Sequence, residues 1–167
     1  MNMIVAVDKN WGIGNEGSLL VSIPADHRFF RSVTLGKTVI FGRKTMQTFP
    51  GGRALADRRN ILLTRKEDFS APNTEVAHSI EELLSMIRDV PAEDVFVIGG
   101  ASVYEQLLPY CDTIHVTKID ESYKADAFFP NLDELPEFEI TQDSDEQSYF
   151  DLTYTFLKYE RKPAEIK

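Results

Sequence analysis

The chain has 167 residues, of which 43% are hydrophobic and 27% are charged. These values are typical of a soluble globular protein with one domain and a substantial core. The single cysteine, Cys111, excludes an internal disulfide and is most simply a small buried hydrophobic residue in a reducing compartment. We find neither a secretory signal pattern nor an apolar run of membrane-spanning length, so a cytoplasmic protein with no membrane partner is expected.

The net charge of −9 is unevenly distributed along the chain. Residues 28–66 contain ten of the 18 lysines and arginines and one acid, Asp57, which gives this segment +9 and the remainder −18. A basic segment in an acidic protein indicates binding of a compact anion, whereas the surrounding negative charge argues against nucleic acid. Chance clustering of solvated surface cations is the alternative.

In chain order, a buried strand is predicted at residues 3–7, and a glycine-rich segment follows at residues 12–17. This segment reads G-x-G-x-x-G, but a dinucleotide-binding loop of that type opens directly into a helix. Here the next helix begins only at Pro24, so the Rossmann interpretation is rejected. A flexible loop that acts as a lid over a site, or a plain connector, remains.

The helix that begins at Pro24 carries an acid on its apolar side. Phe29, Phe30 and Val33 follow Asp26 by three, four and seven residues, which places all four on one helix face. A carboxylate in that position loses hydration, so its pKa rises and it needs a hydrogen-bonding partner. The alternative is an acid in the first helical turn that interacts with the helix dipole.

Two further predicted strands, residues 37–41 and 60–64, each end in basic residues. The first runs into Gly42-Arg43-Lys44-Thr45, where a short helix to Phe49 is predicted before Pro50-Gly51-Gly52. The spacing does not match a P-loop, yet a phosphate can bind at such a helix start. Because ligands of α/β proteins collect at the carboxyl ends of the strands, an anion site is expected here.

The central region alternates helix and strand. A capping box at Ser79-Ile80-Glu81-Glu82 predicts a helix that we assign a structural role. A strand at residues 95–98 then runs into Gly99-Gly100 and a helix that ends before Pro109. Two glycines at this position let a backbone approach a pyrophosphate closely, or simply form a tight turn.

The last third of the chain is predicted to hold a strand at residues 113–119, with Thr117 as a candidate site hydroxyl, and an acidic loop at 120–133. Two late strands, residues 138–141 and 153–160, are expected to form an antiparallel hairpin at one sheet edge, joined by a polar loop at 142–148. His27, His78 and His115 have no metal-ligand spacing, so no metal is expected. No Ser/His/Asp or Cys/His set indicates a nucleophilic enzyme.

Taken together and in order, short segments spread over nearly the whole chain resemble the dihydrofolate reductase family. Each segment is brief, but the shared order and spacing make the resemblance specific. The segments are Ile13-Gly14, Ile23-Pro24-Ala25-Asp26, Phe30, Thr34-Leu35-Gly36-Lys37, Gly42-Arg43-Lys44-Thr45, Arg58-Arg59-Asn60-Ile61, Val97-Ile98-Gly99-Gly100, Val103-Tyr104-Glu105 and Thr117-Lys118-Ile119-Asp120.

The resemblance implies one α/β domain over residues 1–167, with a mostly parallel central sheet of about eight strands, flanking helices and a C-terminal antiparallel edge hairpin. It implies NADPH-dependent reduction of 7,8-dihydrofolate to 5,6,7,8-tetrahydrofolate in one-carbon metabolism, by hydride transfer to C6 and protonation at N5 by water. It also implies a cytoplasmic monomer that antifolates such as methotrexate or trimethoprim inhibit.

The resemblance also implies a role for individual residues. Asp26, supported by Thr117, would hold the pterin amino group and ring N–H; both count as catalytic, and Arg58 would bind the carboxylate of the glutamate tail. The implied substrate-binding residues are Ile4, Val5, Ala6, Asp26, Phe30, Thr48, Phe49, Leu55, Arg58, Ile98, Tyr104 and Thr117. The implied cofactor-binding residues are Ala6, Ile13, Gly14, Gly17, Gly42, Arg43, Lys44, Thr45, Leu63, Thr64, Arg65, Ile98, Gly99, Gly100, Ala101, Ser102, Val103 and Tyr104.

Four positions, in three segments, depart from the family pattern. Leu20-Val21 stands where the family usually has Pro-Trp, and the tryptophan helps to hold a water near the substrate. Asp57 replaces a glycine before Arg58, so its charge is expected to weaken tail binding. Thr38 replaces a common proline, with a mild effect expected.

Two other functions were weighed against this one. A pyrimidine reductase of riboflavin synthesis has the same architecture and also uses NADPH, but it needs neither Asp26 on an apolar face nor Arg58 for a tail carboxylate. A non-catalytic nucleotide-binding module would bind NADPH but no pterin, and the presence of both Asp26 and Thr117 argues against it.

Overall fold

The computed structural model describes residues 1–163 as an α/β fold. Its strands are β1 (Asn2–Val7), β2 (Gly12–Asn15), β3 (Ser18–Leu19), β4 (Thr38–Phe41), β5 (Arg59–Leu63), β6 (Thr74–Ala77), β7 (Val95–Gly99), β8 (Thr113–Ile119), β9 (Ala127–Phe128), β10 (Phe138–Asp143), β11 (Gln147–Tyr149) and β12 (Leu152–Arg161). Its α-helices are α1 (Pro24–Thr34), α2 (Arg43–Met46), α3 (Ile80–Met86) and α4 (Ala101–Leu107). Short 3-10 helices lie at Pro50–Gly52, Ala92–Asp94, Leu108–Tyr110 and Leu132–Glu134.

The main sheet has the strand order β10-β12-β8-β1-β7-β4-β5-β6, and β11 pairs with β12. The six strands from β8 to β6 are parallel, whereas β12 runs antiparallel to both β8 and β10. The predicted mostly parallel sheet with a C-terminal antiparallel hairpin at one edge is therefore confirmed. No helix among residues 1–163 is long and apolar enough to cross a membrane.

The two faces of the sheet are covered by different helices, because successive side chains of a strand point to opposite faces. On β1, Met3, Val5 and Val7 lie in the apolar cluster that also holds side chains of α3 and α4. Ile4 lies in a second cluster, which includes the apolar side of α1. The end of β1 therefore lies between α1 and α4.

The predicted capping box forms at α3. Ser79 Oγ accepts a hydrogen bond from the backbone N–H of Glu82 at 3.0 Å. The Glu82 carboxylate accepts from the N–H of His78 at 2.9 Å, one residue before the cap. Cys111 is buried as predicted, and burial raises the pKa of its thiol to about 12.

Several element boundaries were predicted wrongly. The edge strand β6 was missed, and the polar segment at 142–148 contributes to β10 and β11 rather than forming only a loop. The acidic segment 120–133 contains β9, and α2 ends at Met46 before Phe49. These pieces are short, so their conformation depends on the neighbouring strands rather than on their own apolar pattern.

The glycine-rich segment, predicted as a flexible loop, forms the β2–β3 hairpin. Its turn is made by Glu16 and Gly17, which have φ angles of 50° and 80°. β2 also pairs with β9, which gives a separate three-stranded sheet of order β3-β2-β9.

Candidate active site

Asp26 lies in the first turn of α1, directly after Pro24 and Ala25. Phe29, Phe30 and Val33 all pack in the second apolar cluster, as their spacing predicts. Burial raises the pKa of Asp26 above its ordinary value, against the smaller lowering effects of a hydrogen bond from Thr117 and the charge of His27. Asp26 is thus both an acid of the first helical turn and a desolvated carboxylate, so the two interpretations are compatible.

Thr117 is the partner that Asp26 requires. Its hydroxyl Oγ1 donates to Asp26 Oδ1 at 2.6 Å, which joins β8 to α1 across 91 residues of sequence. Thr117 is itself buried, at 2% exposure. Among residues 1–163, no group donates a hydrogen bond to Asp26 Oδ2, so this oxygen is available to a ligand.

Most of the apolar residues expected around Asp26 lie together. Ile4, Phe30, Phe49, Leu55 and Ile98 belong to one cluster. Because these residues come from β1, α1, β7 and the segment after α2, the four elements pack together through one apolar cluster.

Three residues of the expected substrate-binding set lie outside the apolar cluster that holds Ile4, Phe30, Phe49, Leu55 and Ile98. Val5 packs on the opposite face of β1, in the first cluster, so its side chain points away from Ile4. Ala6 lies beside the pocket, in a third cluster with Ile23. Thr48 is exposed, and its hydroxyl donates to the Thr45 carbonyl oxygen at 2.6 Å.

Tyr104 connects the pocket to the start of α4. Its hydroxyl donates to the Ile4 carbonyl oxygen at 2.7 Å, and the side chain is buried. Burial, with the nearby negative charge of Asp26, raises the pKa of Tyr104 far above its ordinary value, so it is a neutral hydrogen-bond donor at physiological pH.

The carboxyl ends of β4 and β7 meet, as expected for adjacent parallel strands. Gly42 N–H donates to the Gly99 carbonyl oxygen at 3.0 Å. A Cβ atom on Gly99 or Gly100 would lie 3.2 Å or 3.3 Å from Thr45 Oγ1, and the φ of Gly99 is 133°. The two turns for which phosphate binding is expected therefore form one surface with no room for side chains at the glycines.

Basic residues lie along this same edge of the sheet. Arg43 and Lys44 are exposed at the start of α2, and Thr64 and Arg65 follow β5, which pairs with β4. His78, which the sequence pattern did not single out, places its Nδ1 at 3.1 Å from the Thr64 carbonyl oxygen. The edge combines cations, hydroxyls and backbone groups, which suits a phosphate-bearing ligand.

Other members of the expected cofactor set lie along α4 and the β2–β3 hairpin. Ala101, Ser102 and Val103 form the first turn of α4 after Gly100. Ile13 and Gly14 lie in β2, whereas Gly17 is at the exposed hairpin turn. Leu63 packs against the first apolar cluster, so only its backbone lies near the strand edge.

Arg58 is oriented by its neighbours. Its Nη1 donates to Thr34 Oγ1 at 3.1 Å, its Nε donates to the Ala56 carbonyl oxygen at 3.0 Å, and the guanidinium lies 6.0 Å from the centre of the Phe30 ring. Partial burial, followed by the positive charge of Arg31, lowers the Arg58 pKa, while Asp57 raises it. Arg58 remains a cation at the edge of the Asp26 pocket.

Comparison with known proteins identifies the family of this chain. A family model described as dihydrofolate reductase matches residues 1–161. The dihydrofolate reductase of Staphylococcus haemolyticus is 38% identical over 164 residues, covering 96% of this chain and 95% of that protein. That of Bacillus subtilis is 34% identical over 165 residues, covering 97% and 95%.

The chain belongs to the dihydrofolate reductase family. A solved dihydrofolate reductase from Enterococcus faecalis, complexed with NADP(H) and RAB-propyl, has a TM-score of 0.84 and 31% identity, with 97% of this chain and 96% of that chain covered. The fold and the enzyme class expected from the resemblance are confirmed. As a dihydrofolate reductase family member, the chain is an oxidoreductase.

A large cavity of about 1030 Å³ adjoins the candidate active site of this dihydrofolate reductase family member. Arg43, Leu55 and Arg58 line it, together with Phe69 and Pro72. Asp26 and Thr117 do not line it.

The structure shows what Val21, in the unusual Leu20-Val21 pair, contacts. Val21 is half-buried and packs in the third apolar cluster with Ile23, Ile119 and Tyr154. The only tryptophan of the chain, Trp11, instead lies before β2, where it is buried and stacks against Phe129 at 6.2 Å between ring centres. The side chain of Val21 therefore packs against apolar neighbours and provides no hydrogen-bond donor.

Proposed function

We propose that this protein reduces 7,8-dihydrofolate to 5,6,7,8-tetrahydrofolate, with NADPH as its cofactor. The proposal rests above all on the hydrogen bond between Thr117, which is buried, and Asp26, which is partly buried on the same helix as the apolar side chains Phe29, Phe30 and Val33. The 2.6 Å hydrogen bond leaves one carboxylate oxygen available. A pterin presents an amino group and a ring N–H side by side, and a carboxylate accepts hydrogen bonds from both.

Asp26 orients the pterin in this proposal. The apolar walls exclude water, which strengthens the charge-assisted hydrogen bonds to the carboxylate. The hydroxyl of Thr117 restricts the carboxylate to one orientation, so the ring is held in a single pose for the reaction. Asp26 polarises the ring, and a water molecule delivers the proton to N5.

NADPH fits the residues at the carboxyl ends of β4, β5 and β7. The Gly99-Gly100 turn allows close approach of a pyrophosphate, since Thr45 occupies the space that a side chain would need. Arg43, helped by Thr64 and Arg65, would hold the 2′-phosphate that distinguishes NADPH from NADH. When bound, the cofactor supplies the hydride that is added at C6. The Enterococcus faecalis relative is known complexed with NADP(H).

Arg58 would bind the glutamate tail of the substrate. Its guanidinium is oriented by Thr34 and Ala56, and a planar guanidinium matches the geometry of a carboxylate.

The location in the cytoplasm, the single-domain organisation and the monomeric state stay predictions. Light scattering on purified protein would measure the oligomeric state.

The test is NADPH oxidation by the purified protein, followed by absorbance with and without 7,8-dihydrofolate. We expect oxidation that requires dihydrofolate and that methotrexate abolishes. NADPH binding without dihydrofolate-dependent oxidation would contradict the proposal. In that case, the phosphoribosyl-pyrimidine substrate of the riboflavin-pathway reductase would be tested in the same assay.

A further inference from the structure

Asp8, the residue directly after β1, has no role in the site described so far. It is the only charged residue among residues 1–163 with a buried side chain, and only 1% of it is exposed. A buried carboxylate is costly unless hydrogen bonds replace its lost hydration. The groups that satisfy Asp8 therefore indicate what it holds in place.

The Asp8 carboxylate joins two separate segments. Its Oδ1 accepts from the backbone N–H of Gly12 at 2.8 Å and of Asn10 at 2.9 Å, in the turn that leads into β2. Its Oδ2 accepts from the N–H of Tyr123 at 3.0 Å, in the connection between β8 and β9. One side chain thus fixes both segments that enter the β3-β2-β9 sheet.

The packing around Gly12 shows that this junction is tight. A Cβ atom on Gly12 would lie 2.8 Å from the Cβ of Ala125 and 3.1 Å from Asp8 Oδ1. The adjacent Trp11 has a φ of 63°, and its carbonyl oxygen accepts from the Phe129 N–H at 2.8 Å. The base of the hairpin is therefore held by buried contacts.

The far end of the hairpin is held differently. Asp126 Oδ2 accepts from the Glu16 N–H at 2.9 Å, but both residues are exposed. A solvent-exposed hydrogen bond exchanges more readily with water than a buried one, because water competes for its donor and acceptor. The buried contact of Asp8 therefore sets the direction in which the hairpin leaves the main sheet.

We propose that Asp8 is a positioning residue for the reduction: it fixes the base of the hairpin at residues 12–19 and so determines where Ile13 and Gly14 lie relative to the cofactor. This inference rests on the proposed function, since the hairpin matters for catalysis only if NADPH binds beneath it. Asp8 acts through the backbone of Gly12 and Tyr123.

The test compares Asp8→Asn with Asp120→Asn, which makes the same change at an exposed acid paired with Lys9 at 3.2 Å. An asparagine cannot replace the carboxylate, because its NH₂ group would face an N–H donor. We expect faster amide hydrogen exchange at residues 12–19 in Asp8→Asn, with β8 unchanged. We also expect hydride transfer in single turnover to slow by about tenfold and NADPH affinity to fall, because the hairpin at residues 12–19 would no longer be held in place against the cofactor. Dihydrofolate affinity without cofactor should stay the same.

Unchanged exchange at residues 12–19, or changed exchange with an unchanged hydride-transfer rate, overturns the proposal. A loss of dihydrofolate affinity equal to the loss of NADPH affinity also overturns the proposal, because it indicates general structural damage. If Asp8→Asn does not fold, Gly12→Ala disturbs the same junction without removing the charge and is expected to give the same pattern. Failure of the proposed function is distinguishable, because the wild-type protein would then not oxidise NADPH with dihydrofolate, whereas hydrogen exchange still reports on the hairpin.

Discussion

At the scale of single residues, the surroundings of Asp26 affect its pKa in two opposing ways. Burial raises its pKa, while the hydroxyl of Thr117 stabilises the ionised form. Apolar side chains of α1 pack near it, so a hydrogen-bond donor of a ligand that reaches this carboxylate would be strongly favoured over an apolar group. Its value to the proposed reaction is therefore orientation and polarisation of the pterin, both of which need a charged oxygen.

Asp26→Asn is expected to retain NADPH binding and to lose turnover by at least about 100-fold near neutral pH, a loss typical of a reactant that is no longer held in position. The amide keeps the shape of the carboxylate but presents a donor to the donors of the pterin. Steady-state turnover and a fluorescence titration with NADPH measure the two effects. Asp89→Asn, an exposed acid after α3, is the control. Turnover close to that of the wild type would remove Asp26 from the mechanism.

Asp57, which stands where the family usually has glycine, differs from glycine in both backbone preference and charge. Its φ is 60°, in the left-handed region that favours the glycine usual at this position. Aspartate and asparagine adopt this conformation more readily than most side chains. Its charge also acts on Arg58, whose pKa it raises.

Asp57→Asn is therefore expected to lower the KM for dihydrofolate a few-fold at low salt, with kcat unchanged, since an exposed charge of this kind has a modest and screened effect. The asparagine keeps the backbone conformation and removes the repulsion of the substrate carboxylate. A dihydropterin that lacks the glutamate tail is the matched control and should show no change. If both substrates respond equally, Asp57 does not act on the tail.

Among the secondary-structure elements, β4, β5 and β7 bring together the residues that are proposed to bind the cofactor phosphates. They are adjacent and parallel, so the segments after them lie at one edge, although more than 50 residues separate Gly42 from Gly99 in the sequence. Short turns between strand and helix bring backbone N–H groups and cations together there. Of the basic segment at residues 28–66, Arg43, Lys44, Arg65 and Lys66 lie at this edge, whereas Lys37 and Arg59 lie at the amino ends of β4 and β5 and pair with Asp94 and Glu75.

Arg43→Ala, at the start of α2, is expected to reduce the preference for NADPH over NADH by about tenfold or more, because a charge-assisted contact to the 2′-phosphate is lost. The ratio of kcat/KM for the two cofactors measures this preference. Arg53→Ala removes an exposed cation of the same segment, after the 3-10 helix, and should leave the ratio unchanged. An unaltered ratio in Arg43→Ala would move the 2′-phosphate site elsewhere.

For the molecule as a whole, the buried carboxylate at the site has a cost in stability. The pKa of Asp26 is above its ordinary value of 3.8, so the folded protein binds this proton more tightly than the unfolded chain. Asp26 therefore makes folding less favourable as pH rises from 3.8 through its raised pKa, and the effect is constant above that.

The difference in free energy of unfolding between Asp26→Asn and the wild type should accordingly become more positive with rising pH over this range and then level off. Urea unfolding at a series of pH values measures it. A difference that does not vary with pH would mean that Asp26 has the same pKa in the folded and unfolded states.

The sequence determined those features that depend on neighbours along the chain. The spacing of Phe29, Phe30 and Val33 indicated the apolar face of α1, because helical periodicity is local. The transitions from strand to glycine indicated where β4 and β7 end, and anion binding at that edge stays a prediction. The family resemblance correctly indicated the fold. The capping box at Ser79 was likewise readable from four adjacent residues.

Only the tertiary structure decided which distant groups meet. Thr117 reaches Asp26, Tyr104 reaches Ile4, and Asp8 joins Gly12 to Tyr123, in each case across about 90 residues or more for at least one contact. It also decided that Val5 faces away from the pocket and that the short strands β6 and β9 form. These outcomes depend on strand register and on how the chain returns to the sheet, and pairing between distant segments leaves no periodic pattern in either segment alone.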